Sequence, residues 1–269
     1  MSQAKSYDSA FDRFLAVPLA GYILLIVVLV GGVFSRITWD SVRAAFGEDA
    51  LLPAIWLTIV TSLASTALSA AVALPSGYVL ARRRFPAQVV VDTLLDMPIV
   101  LPPLIMGLSI LIFFNTSVGR FIDRGIWDEG LFIYQPAGIV LVQFVIGCAI
   151  ATRVVKAGFE ALDPRYEEMA MSLGANRPKA FYKVVLPSIL PSLLAATVIS
   201  WARIFGLFGP VLLVAGTMAR RTQIMPTTVY LETSSGNLDV ALVVGAMMIL
   251  ISAATLVAFK KLGGKGLIW

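Results

Sequence analysis

Long apolar runs with polar residues gathered between them set the pattern of this chain. A transmembrane helix needs about 20 consecutive, mostly apolar residues. Six runs meet that requirement: Leu15 to Phe34, Pro53 to Ala81, Leu94 to Phe114, Pro136 to Val155, Val184 to Gly216 and Val240 to Phe259. The fifth is longer than a bilayer needs, and Pro187, Pro191 and Pro210 divide it, so its ends should bend or lie along the interface. The first run follows Lys5 and Arg13 as a cleaved secretory leader would, but its apolar core is too long and no small-x-small cleavage site follows, so it reads as a retained helix. The pattern predicts an all-α membrane protein of six transmembrane helices in one polytopic domain over 1–269, with no fixed-period repeat or linker.

Composition agrees. The 269 residues are 58% hydrophobic and 14% charged, with mean hydropathy +0.88. A soluble chain of that length would need many more charges to cover its surface. The net charge of +5 points to a nucleic acid or an anionic surface only if the basic residues form a stripe, and they sit between the runs instead. No nucleic-acid partner is expected. Basic residues flanking spans are retained on the cytoplasmic side. With the N-terminus inside, fourteen Lys and Arg fall on that side and six outside, with Arg203 inside the fifth run, so both termini are expected to be cytoplasmic. Cys148, the sole cysteine, excludes an internal disulfide, and the absence of histidine removes the commonest general base, metal ligand and proton relay.

The connection from Lys156 to Lys183 carries the densest structural signals. Asp163-Pro164 is a helix start, and Gly174 is a residue able to end that helix at positive φ. Between them Tyr166, Met169, Ala170 and Leu173 recur at helical spacing and form one apolar face, while Arg165, Glu168 and Ser172 fall away from it. Asn176-Arg177-Pro178 offers a second cap and start, leading to Leu186-Pro187, where the chain re-enters the bilayer. From the residues alone this is either a docking helix for a partner or an interfacial helix on lipid headgroups.

Here the chain resembles the permeases of ATP-binding cassette importers. Their loop signature, EAA, three residues, G, nine residues, I, one residue, LP, reads here as Glu168-Met169-Ala170, Gly174, Val184 and Leu186-Pro187, with both spacings kept. Met169 for Ala and Val184 for Ile are the two changes. The resemblance implies a type I importer permease architecture. It also implies that segment 160–187 docks on a cytoplasmic ATPase, with Tyr166, Glu168, Met169, Ala170, Leu173, Gly174, Leu186 and Pro187 as coupling residues. A second permease subunit, a homodimer by default, and an extracytoplasmic substrate-binding protein complete the implied assembly in a prokaryotic inner membrane.

Two runs carry candidate pathway residues. In the third, Pro98, Pro102 and Pro103 followed by Gly107 should bend or break the helix, as a packing kink or as part of a pathway. In the fifth, Arg203 is a permanent charge in a span, costing about 2.5–3.5 kcal/mol on insertion scales, so it should face a cavity, a partner or the interface. It suits either transient contact with an anion or a structural pair with Asp96 or free carbonyls. Arg203, Gly206, Phe208 and Gly209 resemble a stretch of the molybdate, tungstate and sulfate permease branch, although Leu207 stands where that branch has Glu. An inorganic oxyanion is the implied cargo, with polyamine, ferric ion or thiamine importers sharing the scaffold. Gly206 to Pro210 also suits close helix packing. The stretch from Thr227 to Asp239 reads as a short helix, a turn and a solvated re-entry loop.

No G-x-x-x-x-G-K-[ST] loop occurs, and the tail Gly263-Gly264-Lys265-Gly266 lacks its spacing, so no nucleotide binds this chain and ATP with magnesium belongs to the partner ATPase. A secondary transporter would show several intramembrane ionisable groups and two related halves, and a membrane enzyme a cluster of His, Cys or carboxylates at one depth. The chain is not expected to be an enzyme.

Overall fold

A computed structural model describes residues 9–125 and 130–262. Lys5, Lys265, the Gly263 to Gly266 tail and the side chains of Arg13 and Lys260 lie outside the described residues. The helices in chain order are α1 Ser9–Ser35, α2 Trp39–Gly47, α3 Leu51–Arg82, α4 Gln88–Val100, α5 Pro103–Asn115, α6 Ser117–Arg124, α7 Pro136–Ala161, α8 Arg165–Ser172, α9 Arg177–Ala180, α10 Leu186–Phe205, α11 Gly209–Ala215, α12 Met225–Ser234 and α13 Leu238–Leu262. A widened π-turn, Phe181–Val185, joins α9 to α10. Among the described residues there is no strand.

Among the described residues five helices are long and apolar enough to cross a membrane, and α4 with α5, bent by 112° at the break between them, makes a sixth if the pair is one span. In lipid a backbone can leave its helix only where protein or water satisfies the freed groups. Here Pro98, Pro102 and Pro103 cannot donate, and α4 stops at Leu101, whose amide still reaches Met97. The third run is therefore two helices.

In the fifth run only Pro210 of the three prolines lies at the break. Pro187 and Pro191 lie within α10 without ending it, and the helix stops at Phe205, ahead of Gly206 to Phe208. Pro187 follows the widened turn Phe181–Val185, through which the helix is continuous from Arg177 to Phe205. Pro210 opens α11 in its first turn, where the amide it lacks has no intrahelical partner.

The core is α3, α7 and α10. Gly77 on α3 lets Val155 of α7 approach so closely that a Cβ would lie 2.8 Å from its Cγ1, and a Cβ at Gly158 would lie 2.5 Å from Ser192 of α10. At Gly147 of α7 a Cβ would collide with Ile204 of α10. Small polar residues line the same seam. Ser65 Oγ donates to Gln143 Oε1 at 3.0 Å, and Ser200 Oγ donates to the Gly147 carbonyl at 3.1 Å. Phe159, Val185 and Ile189 fill the end near α8, while Ile139, Val142, Val211 and Val214 fill the other.

The remaining helices pack outside this core. α1 is exposed along its length, as a lipid-facing span must be, and rests mainly on α13. The short helix and turn expected over Thr227 to Asp239 form as α12 and the reversal after it, and 229–239 are exposed or half-buried, but the first turn is not solvated: Met225, Pro226, Thr227 and Thr228 are buried, and the Met225 amide donates to Thr58 Oγ1 of α3 at 2.8 Å. Its threonines satisfy their hydroxyls locally, Thr227 and Thr228 both donating to the Ile224 carbonyl, so polar composition is compatible with burial.

If close approach holds this core together, Gly147→Val should lower the thermal midpoint of the detergent-solubilised protein by the equivalent of about 1–3 kcal/mol. Gly245→Ala, where no atom lies within 4 Å of a Cβ, should leave that midpoint unchanged, as read by scanning fluorimetry.

Candidate functional site

Between α7 and α10 the chain builds two short helices and a reversal. Asp163 Oδ1 accepts the Arg165 amide at 2.9 Å, and Pro164 occupies the capping position one residue before α8. At the other end Gly174, at φ +90, donates to the Met171 carbonyl at 3.0 Å, and Ala175 donates to the Ala170 carbonyl at 3.1 Å. These are the paired bonds of a left-handed helix cap. Asn176 Oδ1 then accepts the Lys179 amide at 3.0 Å and starts α9.

One side of this unit is bolted to the bundle through a residue that periodicity passes over. Glu167 is 7% exposed, and Tyr78 of α3 donates to its Oε1 at 2.7 Å. Arg177 Nε stands 3.6 Å from the same oxygen, and its Nη2 donates to the Tyr78 hydroxyl at 3.4 Å. The Tyr78 ring packs edge-on against Phe159 of α7 at 5.3 Å and against Phe181 at 5.1 Å. Arg82 Nη2 donates to the Leu162 carbonyl at 2.8 Å. α8 is thus tied to α3, α7 and the approach to α10 together.

The other side is open. Tyr166, Met169 and Leu173 are 50%, 54% and 90% exposed, and Glu168 is exposed beside them. Ala170 and Leu186 are half-buried and Pro187 is exposed. Asp163, Arg165, Tyr166, Glu168, Met169 and Ser172 line a shallow open cleft. No atom lies within 4 Å of a Cβ built on Gly174, so that residue is required by its backbone angle and not by crowding inside the chain. The apolar side chains of this well-capped, anchored helix thus form one exposed surface.

The second group lies where α5 and α11 begin. Gly107 is buried with a Cβ position 2.6 Å from Pro210 Cα, and that of Gly209 is 3.1 Å from Leu104. The two chain breaks, at Leu101-Pro102 and at Gly206 to Phe208, are therefore neighbours. They lie level with Gly147, close to the midpoint of α7. Pro102, Pro103 and Gly206 are exposed there. Gly206 has open space around it, so the close packing expected of Gly206 to Pro210 is made by Gly209 and Pro210 alone.

Arg203, one turn before the break, is exposed and has no hydrogen bond or ion pair among the described residues. The pairing with Asp96 does not form. Asp96 is taken by Arg153 of α7 at 2.6 Å, and Asp92, one turn earlier on α4, by Lys156 at 2.8 Å. No group of three or more His, Cys, Asp or Glu able to hold a metal occurs among the described residues.

Sequence and structure comparisons agree in kind. The family model described as binding-protein-dependent transport system inner membrane component matches residues 73–263. The chain is 26% identical to the sulfate transport system permease protein CysT of Salmonella typhimurium over 85% of its length and 82% of that protein. It is 30% identical to the molybdenum transport system permease protein ModB of Escherichia coli, over 68% of this chain and 82% of that one. Among solved structures, a bacterial ABC transporter involved in import of the acidic polysaccharide alginate matches with TM-score 0.75 at 16% identity, covering 95% and 96% of the two chains. The methionine ABC transporter MetNI in an inward-facing conformation matches with TM-score 0.62 at 19% identity, covering 80% and 94%. At these identities the structural likeness is one of fold.

Removing the buried carboxylate should loosen α8 without disturbing the spans. Glu167→Ala leaves the Tyr78 hydroxyl without its acceptor, a loss of about 1–3 kcal/mol for a buried hydrogen bond. The expected result is faster amide hydrogen exchange confined to residues 165–175, with α3 and α7 unchanged.

Proposed function

The chain belongs to the family of binding-protein-dependent transport system inner membrane components, and from that premise we propose that it couples to a separate ATPase through segment 160–187 and lines an oxyanion pathway. As a member of that family it is the membrane permease component of an ABC importer, a multi-pass membrane protein and not an enzyme. The exposed apolar cap of α8, held on a rigid mount, carries the coupling reading. Tyr166, Met169 and Leu173 present the anchor side chains of a helix that enters a partner's groove, and Glu168 and Gly174 border them.

In this reading both termini and α8 face the cytoplasm, where Arg82, Arg83, Arg84, Arg165, Arg177, Lys179 and Lys183 cluster. The ATPase dimer binds ATP and magnesium. Two copies of this chain pair in a prokaryotic inner membrane, and an extracytoplasmic binding protein delivers the cargo to the opposite end. Closure of the ATPase pair moves the two α8 helices and with them the bundle, opening the pathway outward, and hydrolysis reverses the motion.

The cargo is an inorganic oxyanion such as sulfate, molybdate or tungstate. The similarity to sulfate and molybdenum transport permeases supports this, and so does Arg203, an unpaired permanent cation among the described residues beside two interrupted helices near mid-depth. A polyamine or ferric ion would be repelled there. Leu207, in place of Glu, is 5% exposed and packs with Ile146 and Val211, so the change affects packing and leaves the anion chemistry of Arg203 in place.

Two experiments test the proposal in separate parts. Gly174→Val forces a β-branched residue into a left-handed conformation that costs at least about 1–2 kcal/mol. It should leave membrane insertion intact and lower co-purification with the ATPase and uptake roughly tenfold. Normal assembly and uptake would remove the coupling assignment. Arg203→Gln should retain the ATPase and reduce uptake of radiolabelled sulfate or molybdate by about tenfold, as expected for losing one charge-assisted hydrogen bond. Undiminished uptake of both anions would exclude Arg203 from the pathway.

A further inference from the structure

α6 follows the end of α5 at Asn115 after a single residue, Thr116, whose hydroxyl caps it by accepting the Gly119 amide at 3.1 Å. Because α5 ends there as the second half of a span, α6 sits at the level where the chain leaves the hydrocarbon, at the end of the bundle opposite α8. Its eight residues divide into three faces roughly 120° apart at 3.6 residues per turn.

The inward face cannot roll. A Cβ at Gly119 would collide with the Phe113 carbonyl, so that face is pressed onto the backbone of the preceding span. Asp123, 4% exposed, accepts the amides of Leu131 at 3.1 Å, Phe132 at 2.7 Å and Ile133 at 3.3 Å with one carboxylate oxygen. The second face carries Val118, Phe121 and Ile122, exposed by 62%, 75% and 45%. It continues the exposed apolar surface of Ile112 and Phe113 at the end of α5. The third carries Arg120 and Arg124, one turn apart, exposed and without partners among the described residues.

We propose that α6 is an interfacial lipid-binding helix. Val118, Phe121 and Ile122 enter the acyl boundary of the leaflet opposite α8, and Arg120 and Arg124 together hold the phosphate of an anionic phospholipid. An apolar triad flanked by basic side chains is the layout of a helix that lies in the membrane plane. Two guanidinium groups at i, i+4 spacing lie close enough to share one phosphate in bidentate fashion. A soluble partner would require the triad to stand clear of the bilayer, and the one-residue connection to α5 does not allow that; a second membrane subunit at this face is separated by the shielding arm of the test. The inference rests on the multi-pass assignment and is independent of the cargo reading.

The test uses the full chain in nanodiscs, with Cys148→Ser and Phe121→Cys to place a single bimane label. Acyl-brominated phosphatidylglycerol and phosphatidylcholine, at equal mole fraction, are the quenchers. Quenching by both is expected, with about fivefold preference for phosphatidylglycerol. Arg120→Gln with Arg124→Gln should abolish the preference and keep the quenching. The placement is overturned if aqueous iodide quenches the label and brominated lipid does not, or if the label becomes shielded only on adding another protein subunit. Survival of the preference in the double arginine variant overturns the phosphate role. Because the label replaces an apolar side chain, native mass spectrometry of the unlabelled chain provides a second reading. Phosphatidylglycerol adducts should exceed phosphatidylcholine adducts, and the double variant should lose the excess; equal adducts in the unaltered chain overturn the proposal.

Discussion

In hydrocarbon, two helices gain nothing by hiding apolar side chains from each other, so this bundle depends on how closely α3, α7 and α10 approach. Gly77, Gly147 and Gly158 remove the side chains that would hold them apart. The approach lets weak contacts accumulate and brings Ser65 to Gln143 and Ser200 to the Gly147 carbonyl. The same closeness fixes the ends of the three helices relative to one another. The ring cluster of Tyr78, Phe159 and Phe181 draws one member from α3, one from α7 and one from the turn leading into α10. The clamp on Glu167 is therefore a product of the core seam, and α8 inherits its orientation from it.

Interruptions in the other spans follow from where that seam ends. α4 and α5 lie outside it, and α4 is held to α7 by Lys156 with Asp92 and Arg153 with Asp96 in addition to apolar contact. The break between α4 and α5 is sealed by the contact of Gly107 with Pro210 and of Leu104 with Gly209, which joins it to the break between α10 and α11. Freed backbone groups at membrane depth thus collect in one place. Since the α4 carboxylates are both engaged by α7, Arg203 beside that place has none of them to neutralise it.

Much of this was legible in the sequence, for identifiable reasons. Hydropathy marks an apolar run on each candidate crossing, because run length is imposed by bilayer thickness, but the fifth run, Val184 to Gly216, is displaced along the chain from the long helix Arg177–Phe205. Gly174 and Asn176 announced their caps, because positive φ and side-chain capping are properties of single residues. Of the prolines that divide the fifth run only Pro210 lies at the break, because Pro187 and Pro191 are absorbed in a helix continuous from Arg177 to Phe205. Glu167 could not be told from Glu168 by type or spacing. What separates them is Tyr78, 89 positions away, a relation that only folding creates. The burial of Thr227 and Thr228 was hidden for a related reason, since their hydroxyls find acceptors on their own backbone.

The arrangement also says why one helix can serve both candidate sites. α10 begins at Leu186, immediately after the turn that carries Phe181, and ends at Phe205, two residues past Arg203. Its 20 residues span about 30 Å as one continuous element. In the proposed coupling a displacement of α8 would reach Phe181 through the Tyr78 cluster and pass along a rod whose far end is the mid-depth break. The turn Phe181–Val185 is the one stretch on that route with π-type bonding, a geometry that often marks a functional hinge within a helix. Any bending of the lever is thus placed at the foot of α10, between the cluster that anchors α8 and the rod. The proposed coupling therefore depends less on the exposed apolar cap itself than on whether this turn transmits the motion or absorbs it.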